Sequence, residues 1–248
     1  MSTLILALAA GAVIGLALGA LGGGGSVLAV PALIHLFGFT PVAATTASLL
    51  IVATTSATAL VAHAREGNVR WLAGSLFAAA GILPAMLTAV LAARVPEPLL
   101  AGAFAVVAAA AALRMLWPRQ AADEQREPRA APAAAAGAGL GAVTGFLGVG
   151  GGFLAVPALV NVLGLRMRLA VGTSLLVITI NSLAALAART STAAGLNWSV
   201  VAPFAGAAVL GAWDGKRLAA RIPGGRLQRY FAVVLLAVAV FMLADAIL

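Results

Sequence analysis

The sequence contains no cysteine, and only 9% of its 248 residues are charged. The missing thiols exclude disulfides, thiolate metal sites and a cysteine nucleophile. Soluble domains carry about a quarter charged residues, whereas this chain is 63% hydrophobic. Apolar runs fill nearly the whole length, and several approach the ~20 residues that a helix needs to cross a bilayer. The composition therefore predicts an all-α, polytopic membrane protein.

The chain also lacks the residue sets of common catalytic and metal centres. It has no nucleotide-binding loop of the G-x-x-x-x-G-K-[ST] type and no histidine pair at metal-ligand spacing. We therefore expect no enzyme activity, no cofactor and no metal. The net charge of +8 does not indicate nucleic acid, because the basic residues lie in short loops between apolar runs, as membrane orientation requires. The expected partners are a lipid bilayer and a small solute.

An internal duplication organises the sequence. Shifting the chain by 126 residues aligns 19–33 with 145–159, and 11 of these 15 positions are identical. Weaker matches follow, including ASLL at 47–50 with TSLL at 173–176 and, one residue later in register, Trp71 with Trp198. We expect a first repeat over 1–116, a polar linker over 117–133 and a second repeat over 134–248.

Each repeat contains five apolar segments. They are 3–21, 26–37, 41–62, 71–93 and 98–116 in the first half, and 134–148, 152–164, 169–188, 198–213 and 230–247 in the second. The second segment of each half is too short to cross the membrane by itself. The pattern of each half therefore predicts a hairpin of short helices around a glycine loop, followed by three membrane-spanning helices. We expect the first segment to be a retained helix, with cleavage as a signal peptide as the alternative.

The charge distribution predicts that the two halves are inverted. Three full crossings per half is an odd number, so the second half enters the membrane from the opposite side. If the loop 63–70 is cytoplasmic, 13 of the 15 basic residues are cytoplasmic and only Arg94 and Arg189 lie outside. This bias satisfies the positive-inside rule. The sequence thus predicts an inverted-topology repeat whose linker 117–133 is cytoplasmic.

Glycine-rich loops recur at matched positions before the short helices. Backbone N–H groups at a helix start favour anions, and glycine lets a ligand approach the backbone closely. Two such loops from opposite membrane sides would meet and hold one anion. The alternative is that these glycines only allow tight helix packing. The predicted loop residues are Gly22, Gly23, Gly24, Gly25, Ser26, Gly148, Gly150, Gly151 and Gly152.

Hydroxyl and amide side chains follow each hairpin at helical spacing, so that each set shares one helix face. They are suited to donate hydrogen bonds to an oxyanion without placing a full charge in the membrane. The alternative is hydrogen bonding between helices. The predicted substrate-binding residues here are Ser48, Thr55, Ser174, Asn181 and Ser182. By this topology no acidic residue lies clearly at the midplane, where proton and sodium relays usually have one.

The glycine–proline motifs GALGGGGSVLAVPAL and GFLGVGGGFLAVPALV, with RIPGGRLQRYFAVVLL near the end, resemble the sulfite exporter TauE/SafE family of bacterial membrane permeases. The resemblance covers nearly the whole chain. It implies transport of small sulfur-containing or organic anions, such as sulfite or sulfonates, and a multi-pass protein of the bacterial plasma (inner) membrane.

The resulting hypothesis is an alternating-access secondary transporter that exports such an anion. Inverted repeats with broken helices are the architecture of many secondary transporters. The alternatives are a channel-like anion pore and a non-transport membrane partner or assembly subunit. The sequence leaves the oligomeric state open, a homo-oligomer included.

Overall fold

The computed structural model describes residues 2–92, 95–117, 130–146, 152–187 and 196–247. These residues form α-helices and short connections, with no strand among them. The helices are α1 (Ser2–Leu21), α2 (Gly24–Phe37), α3 (Pro41–Ala64), α4 (Trp71–Ala92), α5 (Glu97–Leu116), α6 (Ala130–Phe146), α7 (Gly152–Asn161), α8 (Met167–Ala187), α9 (Trp198–Ala220) and α10 (Gly224–Ile247). The expected all-α class is confirmed.

Helix length and hydropathy separate spanning helices from short ones. Five segments within α1, α3, α4, α8 and α10 are long and apolar enough to cross a membrane. Helices α2 and α7 have 14 and 10 residues. At 1.5 Å per residue they are about 21 and 15 Å long, well short of the ~30 Å hydrocarbon core. The second segment of each half is therefore short, as expected, whereas α1, with 20 residues, is as long as a spanning helix and is not the short hairpin helix that was expected.

Several helix ends differ from the expected bounds because helices continue beyond their apolar part. Helix α2 begins at Gly24, so Gly24 and Gly25 belong to its first turn and not to the loop before it. Helix α9 continues through Asp214 and Lys216 to Ala220. Helix α10 begins at Gly224, six residues before the apolar run from 230. Hydropathy marks only the part of a helix that lies in the hydrocarbon.

Equivalent helices of the two halves have equivalent neighbours. Helix α1 of the first half packs along α9 of the second, and α6 packs along α4 in the same way. Helix α3 packs against its own counterpart α8, and α5 packs against its counterpart α10. The two halves therefore interlock, and each half completes the packing of the other.

Glycine stripes form the closest of these contacts. A Cβ added at Gly11, Gly15 or Gly19 of α1 would lie 2.0–2.3 Å from a backbone oxygen of α9. The facing residues are Phe204, Ala208 and Ala212. Residue numbers rise together on both helices, so α1 and α9 are parallel. Small residues allow such backbone contact, which is a main source of helix association in lipid.

The same stripe recurs between α6 and α4. Gly137, Gly141 and Gly145 face Phe77, Gly81 and Ala85, again with rising numbers on both helices. These are the positions that the duplication predicts, at offsets of 126 for the glycines and 127 for the facing residues. The repeat in the sequence is thus also a repeat in the packing.

Helices α3 and α8 run antiparallel at the interface between the halves. The hydroxyls of Ser56 and Thr179 are 2.9 Å apart, and a Cβ at Gly172 would lie 3.4 Å from the Cβ of His63. Numbers that rise on one helix fall on the other. This register fixes the level of every side chain, meaning its position along the common axis of α3 and α8. The candidate site lies along this pair of helices.

Candidate functional site

The first glycine turn reverses the chain between α1 and α2. Gly22 has φ +77°, a left-handed conformation that residues with a Cβ rarely adopt. Its N–H donates to the carbonyl oxygen of Leu18 at 2.8 Å, which ends α1. Helix α2 then starts within two residues, and its N-cap residue is Gly23, which has no side chain to cap the first turn. The first N–H groups of a helix have no partner inside it, so this end of α2 suits hydrogen-bond acceptors.

This turn lies against the second half of the protein. A Cβ added at Gly22 would lie 2.5 Å from Oγ of Ser174 on α8 and 3.1 Å from Cγ2 of Val156 on α7. Only glycine fits this space. The structure therefore brings together two predicted site residues, Gly22 and Ser174, that are 152 positions apart in the sequence.

The second glycine loop lies largely outside the described residues. Gly148, Gly150 and Gly151 are not described, and Gly152 is the buried first residue of α7. In the first loop, the backbone of Gly25 and Ser26 belongs to the first turn of α2. The predicted contact between the two loops stays a prediction.

The buried hydroxyls donate to their own helices. Ser48 Oγ donates to the carbonyl of Thr45 at 2.8 Å, and Ser174 Oγ donates to that of Val171 at 2.7 Å. Thr55 donates in the same way to Ile51. Such bonds to the preceding turn are common for serine and threonine in helices. In this conformation their protons are used locally, and only their oxygen lone pairs face neighbouring groups.

The α3–α8 register places the predicted polar residues at three levels. Ser174 is level with position 61 of α3, so it lies 13 residues from Ser48 along the pair. That separation is about 20 Å at 1.5 Å per residue. A single small anion therefore cannot touch Ser48 and Ser174 together in this conformation. The predicted residues thus lie at separate levels along the pair, and their role in substrate binding stays a prediction.

The middle level holds the densest polar group. Thr55, Ser182 and the Ser56–Thr179 hydroxyl pair lie here, with Ser182 and Ser56 buried. Asn181 shares this level, and its Oδ1 is buried without a hydrogen-bond partner within the described residues. An unpaired buried acceptor costs about 1–3 kcal/mol. Among the predicted site residues whose side chains the structure describes, Asn181 alone has such an orphaned atom.

A cavity near the glycine turn was missed by the sequence reasoning, which assigned its charges to loops. Val171 lies beside Gly22, since a Cβ added there would be 3.4 Å from the Cα of Val171, and it also lines this cavity. Lys216 Nζ lies 2.7 Å from Glu66 Oε1 and donates to the carbonyl of Ala62 at 2.7 Å. Asn68, Arg168 and His63 complete the polar part of the wall. A comparison of the two repeats would have drawn attention to Lys216, Glu66 and Arg168, because the equivalent positions of the other half are uncharged.

Other ionisable residues lie apart from these levels. Asp214 and Arg217 form an exposed ion pair at 3.4 Å, the arrangement expected for an interfacial pair. His35 is exposed near the end of α2. The side chain of Asp245 is outside the described residues. Within the described part of the chain, no three histidine, aspartate or glutamate side chains are grouped as metal ligands.

Comparison with known proteins bears directly on this arrangement. The model of the family described as sulfite exporter TauE/SafE matches residues 7–242. The chain belongs to the sulfite exporter TauE/SafE family. Its first glycine turn, paired halves and line of polar levels are thus features of one member of a family of multi-pass membrane proteins.

Two relatives from Xylella fastidiosa match over almost their full lengths. The protein of strain 9a5c and that of strain Temecula1 / ATCC 700964 are each 33% identical to this chain. Each alignment covers 97% of this chain and 95% of the relative. Both relatives bear the name "Probable membrane transporter protein". No solved structure gives a significant match.

Proposed function

We propose that this chain is a secondary transporter that exports a small sulfur-containing or organic oxyanion, such as sulfite or a sulfonate, across the bacterial inner membrane. The broader class of membrane transporter is supported by the family and by the names of both relatives. The finer proposal concerns the substrate, the path and the mechanism.

The observation that carries the proposal is the contact between the first glycine turn and Ser174. It puts the N-terminal end of α2 on α8, within the interface of the two halves. Helix starts favour anions, and an interrupted helix in a membrane is tolerated where it lines protein or a water-filled path. The turn is therefore a suitable contact for an oxyanion.

The path runs along α3 and α8. A substrate passing from the Ser174 level to the Ser48 level meets the Asn181 level between them. Asn181 has the unsatisfied atom expected of a group that meets a ligand or water in another conformation. Alternating access moves one half against the other around such a path.

The opposite directions of α3 and α8 support the inverted orientation of the halves. These helices are counterparts in the duplication, yet they are antiparallel. The inversion, combined with the positive-inside rule, supports a cytoplasmic location for the loop 63–70 and the linker 117–133. On this assignment the Lys216 cavity lies at the cytoplasmic end.

The decisive experiment compares two glycines that share one backbone constraint. Gly22 and Gly38 have φ +77° and +68°, so alanine strains both turns equally. At Gly22 the new Cβ meets Ser174, whereas at Gly38 nothing lies within 4 Å. In proteoliposomes we expect Gly22→Ala to abolish sulfite flux and Gly38→Ala to retain it. Equal flux in the two variants, both inserted normally, would show that the turn does not contact the substrate.

Membrane potential tests the mode of energy coupling. An anion leaving a cell gains about 2.3 kcal/mol per charge for each 100 mV of inside-negative potential. We therefore expect sulfite or methanesulfonate efflux from proteoliposomes to accelerate when a potassium gradient makes the lumen negative. Flux that ignores the potential would rule out uniport of a charged species.

A further inference from the structure

The cavity beside the glycine turn contains an ion pair that joins the two halves of the protein. Lys216 belongs to α9 of the second half, and Glu66 follows α3 of the first. The Lys216 side chain is only 15% exposed, whereas that of Glu66 is 48% exposed. The ammonium is therefore held in the wall, and the carboxylate is the partner that is free to move into water.

Lys216 has a second hydrogen-bond partner besides Glu66. Its Nζ also donates to the backbone oxygen of Ala62 at 2.7 Å. This second bond fixes the ammonium at the end of α3, with further protons to donate. Removal of the carboxylate would leave a positioned, largely buried cation facing the cavity.

The Glu66 carboxylate occupies the place of an oxyanion. One oxygen faces Lys216 at 2.7 Å, and the other accepts from Nδ2 of Asn68 at 3.2 Å. Oxyanions are commonly recognised in this way, by two donors that each bind a different oxygen of the same anion. Sulfite and sulfonate groups present oxygens at similar spacing.

The rest of the wall is also suited to an anion. Arg168 lines the cavity, and its Nη2 is fixed by the carbonyl of Ala220 at 2.9 Å. His63 lines it as well and is 5% exposed, but it offers no proton to this site, because its Nε2 donates to the carbonyl oxygen of Gly19 at 3.4 Å and its Nδ1 then carries a lone pair. With Glu66 displaced, the charged side chains of the wall are Lys216 and Arg168, both positive.

The duplication makes this cluster specific to one end of the molecule. The counterparts of Lys216, Glu66 and Arg168 in the other half are the neutral residues Ala89, Thr192 and Val42. A packing requirement shared by the two halves would have placed similar residues at both ends. The asymmetry indicates a role tied to one side of the membrane.

We propose that this cavity is a binding site for a small oxyanion, which displaces the Glu66 carboxylate from Lys216 and Asn68. The choice of a sulfur oxyanion as ligand rests on the proposed function. The carboxylate acts as an internal competitor that closes the cavity when no anion is present. Because the pair links α9 to the α3–α4 loop, an incoming anion also breaks an ionic contact between the halves. The site lies one residue, Val171, away from the glycine turn, so it would hold the anion before that turn does.

Binding to the full chain in nanodiscs tests the proposal. Sulfite and methanesulfonate are titrated calorimetrically, with chloride as an anion that has no oxygens. We expect Glu66→Ala to bind both oxyanions about tenfold more tightly, because the competitor is gone. The matched control is Asp214→Ala, which removes an equal charge from the exposed pair outside the cavity and leaves binding unchanged.

Loss of the cation gives the opposite result. Lys216→Gln weakens binding about tenfold or more, the effect of one charge-assisted hydrogen bond. Its control is Arg217→Gln, one position along, which leaves binding unchanged. Lys216→Arg keeps the charge and retains binding, which separates loss of the site from misfolding. Equal effects of Glu66→Ala and Asp214→Ala, or of Lys216→Gln and Arg217→Gln, would overturn the proposal.

The two proposals fail in different ways. If wild-type protein carries no flux but the five variants of the binding experiment behave as stated, the transport function is wrong and the binding site stands. If Gly22→Ala and Gly38→Ala differ in flux while Lys216→Gln binds like wild type, the transport function stands and this site is wrong.

Discussion

The glycine stripe between α4 and α6 allows a quantitative test with a control on the same helix. The test substitutes Gly141, which is buried, and Gly139, which faces away from α4, with alanine. A Cβ at Gly141 would lie 2.1 Å from the carbonyl oxygen of Gly81, whereas nothing lies within 4 Å of one at Gly139. Both changes gain the same helix propensity, about 1 kcal/mol. The difference between the variants therefore reports the overlap alone.

The size of the effect follows from the geometry. Ordinary contact begins at 3.4 Å, so α4 and α6 must separate by about 1.3 Å at Gly141. The close backbone approaches at Gly137 and Gly145, where an added Cβ would lie 2.1 and 2.2 Å from a backbone oxygen of α4, open with it because they lie on the same stripe. Overpacking of this kind costs about 1–3 kcal/mol. We expect Gly141→Ala to melt about 2–12 °C below Gly139→Ala.

The assay is thermal unfolding of the two purified variants in one detergent, followed by intrinsic tryptophan fluorescence. Gly139→Ala is expected at or slightly above the wild-type melting temperature. If the two variants melt together, the backbone contact between α4 and α6 does not hold the halves in register. The same comparison on α9, with Gly211→Ala against the open position Gly206→Ala, repeats the test at the equivalent pair of helices.

Three further predictions concern the polar levels and the orientation. Asn181→Leu removes the unpaired buried oxygen, so we expect the melting temperature to stay the same or rise while sulfite flux falls. A fall in both the melting temperature and the flux would indicate a structural role only. Ser56→Ala and Thr179→Val remove a 2.9 Å hydroxyl contact between halves, and a double-mutant cycle should give a coupling of about 0.6 kcal/mol; zero coupling would mean that the pair contributes nothing. Because the chain has no cysteine, single cysteines can be introduced and labelled individually with an impermeant thiol reagent. Arg65→Cys and Val162→Cys, both at exposed positions, should react from the cytoplasmic side, whereas Thr40→Cys should react from the opposite side. Labelling of Thr40→Cys and Val162→Cys from the same side would contradict the inversion.

Much of the fold was predictable from local pattern. Long apolar runs and short second segments gave the spanning helices and the short α2 and α7, because hydrocarbon thickness sets helix length. The duplication likewise fixed which residues are equivalent. The helix ends were less predictable: the polar ends of α9 and α10 lie outside the apolar pattern on which the prediction depended.

The candidate site was only partly predictable, since it depends on the register between helices. The sequence selected Gly22 and Ser174, but their contact required α1, α2 and α8 to be packed together. It also grouped Ser48 with Ser174, which the antiparallel register of α3 and α8 places about 20 Å apart. Periodicity along one helix contains no information about the level of a residue on another.

By itself, the sequence determined the membrane class, the two repeats, the short helices after the glycine loops and the family. These follow from composition and repetition, which act within one segment at a time. The tertiary structure alone decided which glycines bring backbones together, how the polar residues divide into levels, and that Lys216 meets Glu66 from the other half. Those features depend on contacts between residues far apart in the chain, and only the packing of one half against the other creates them.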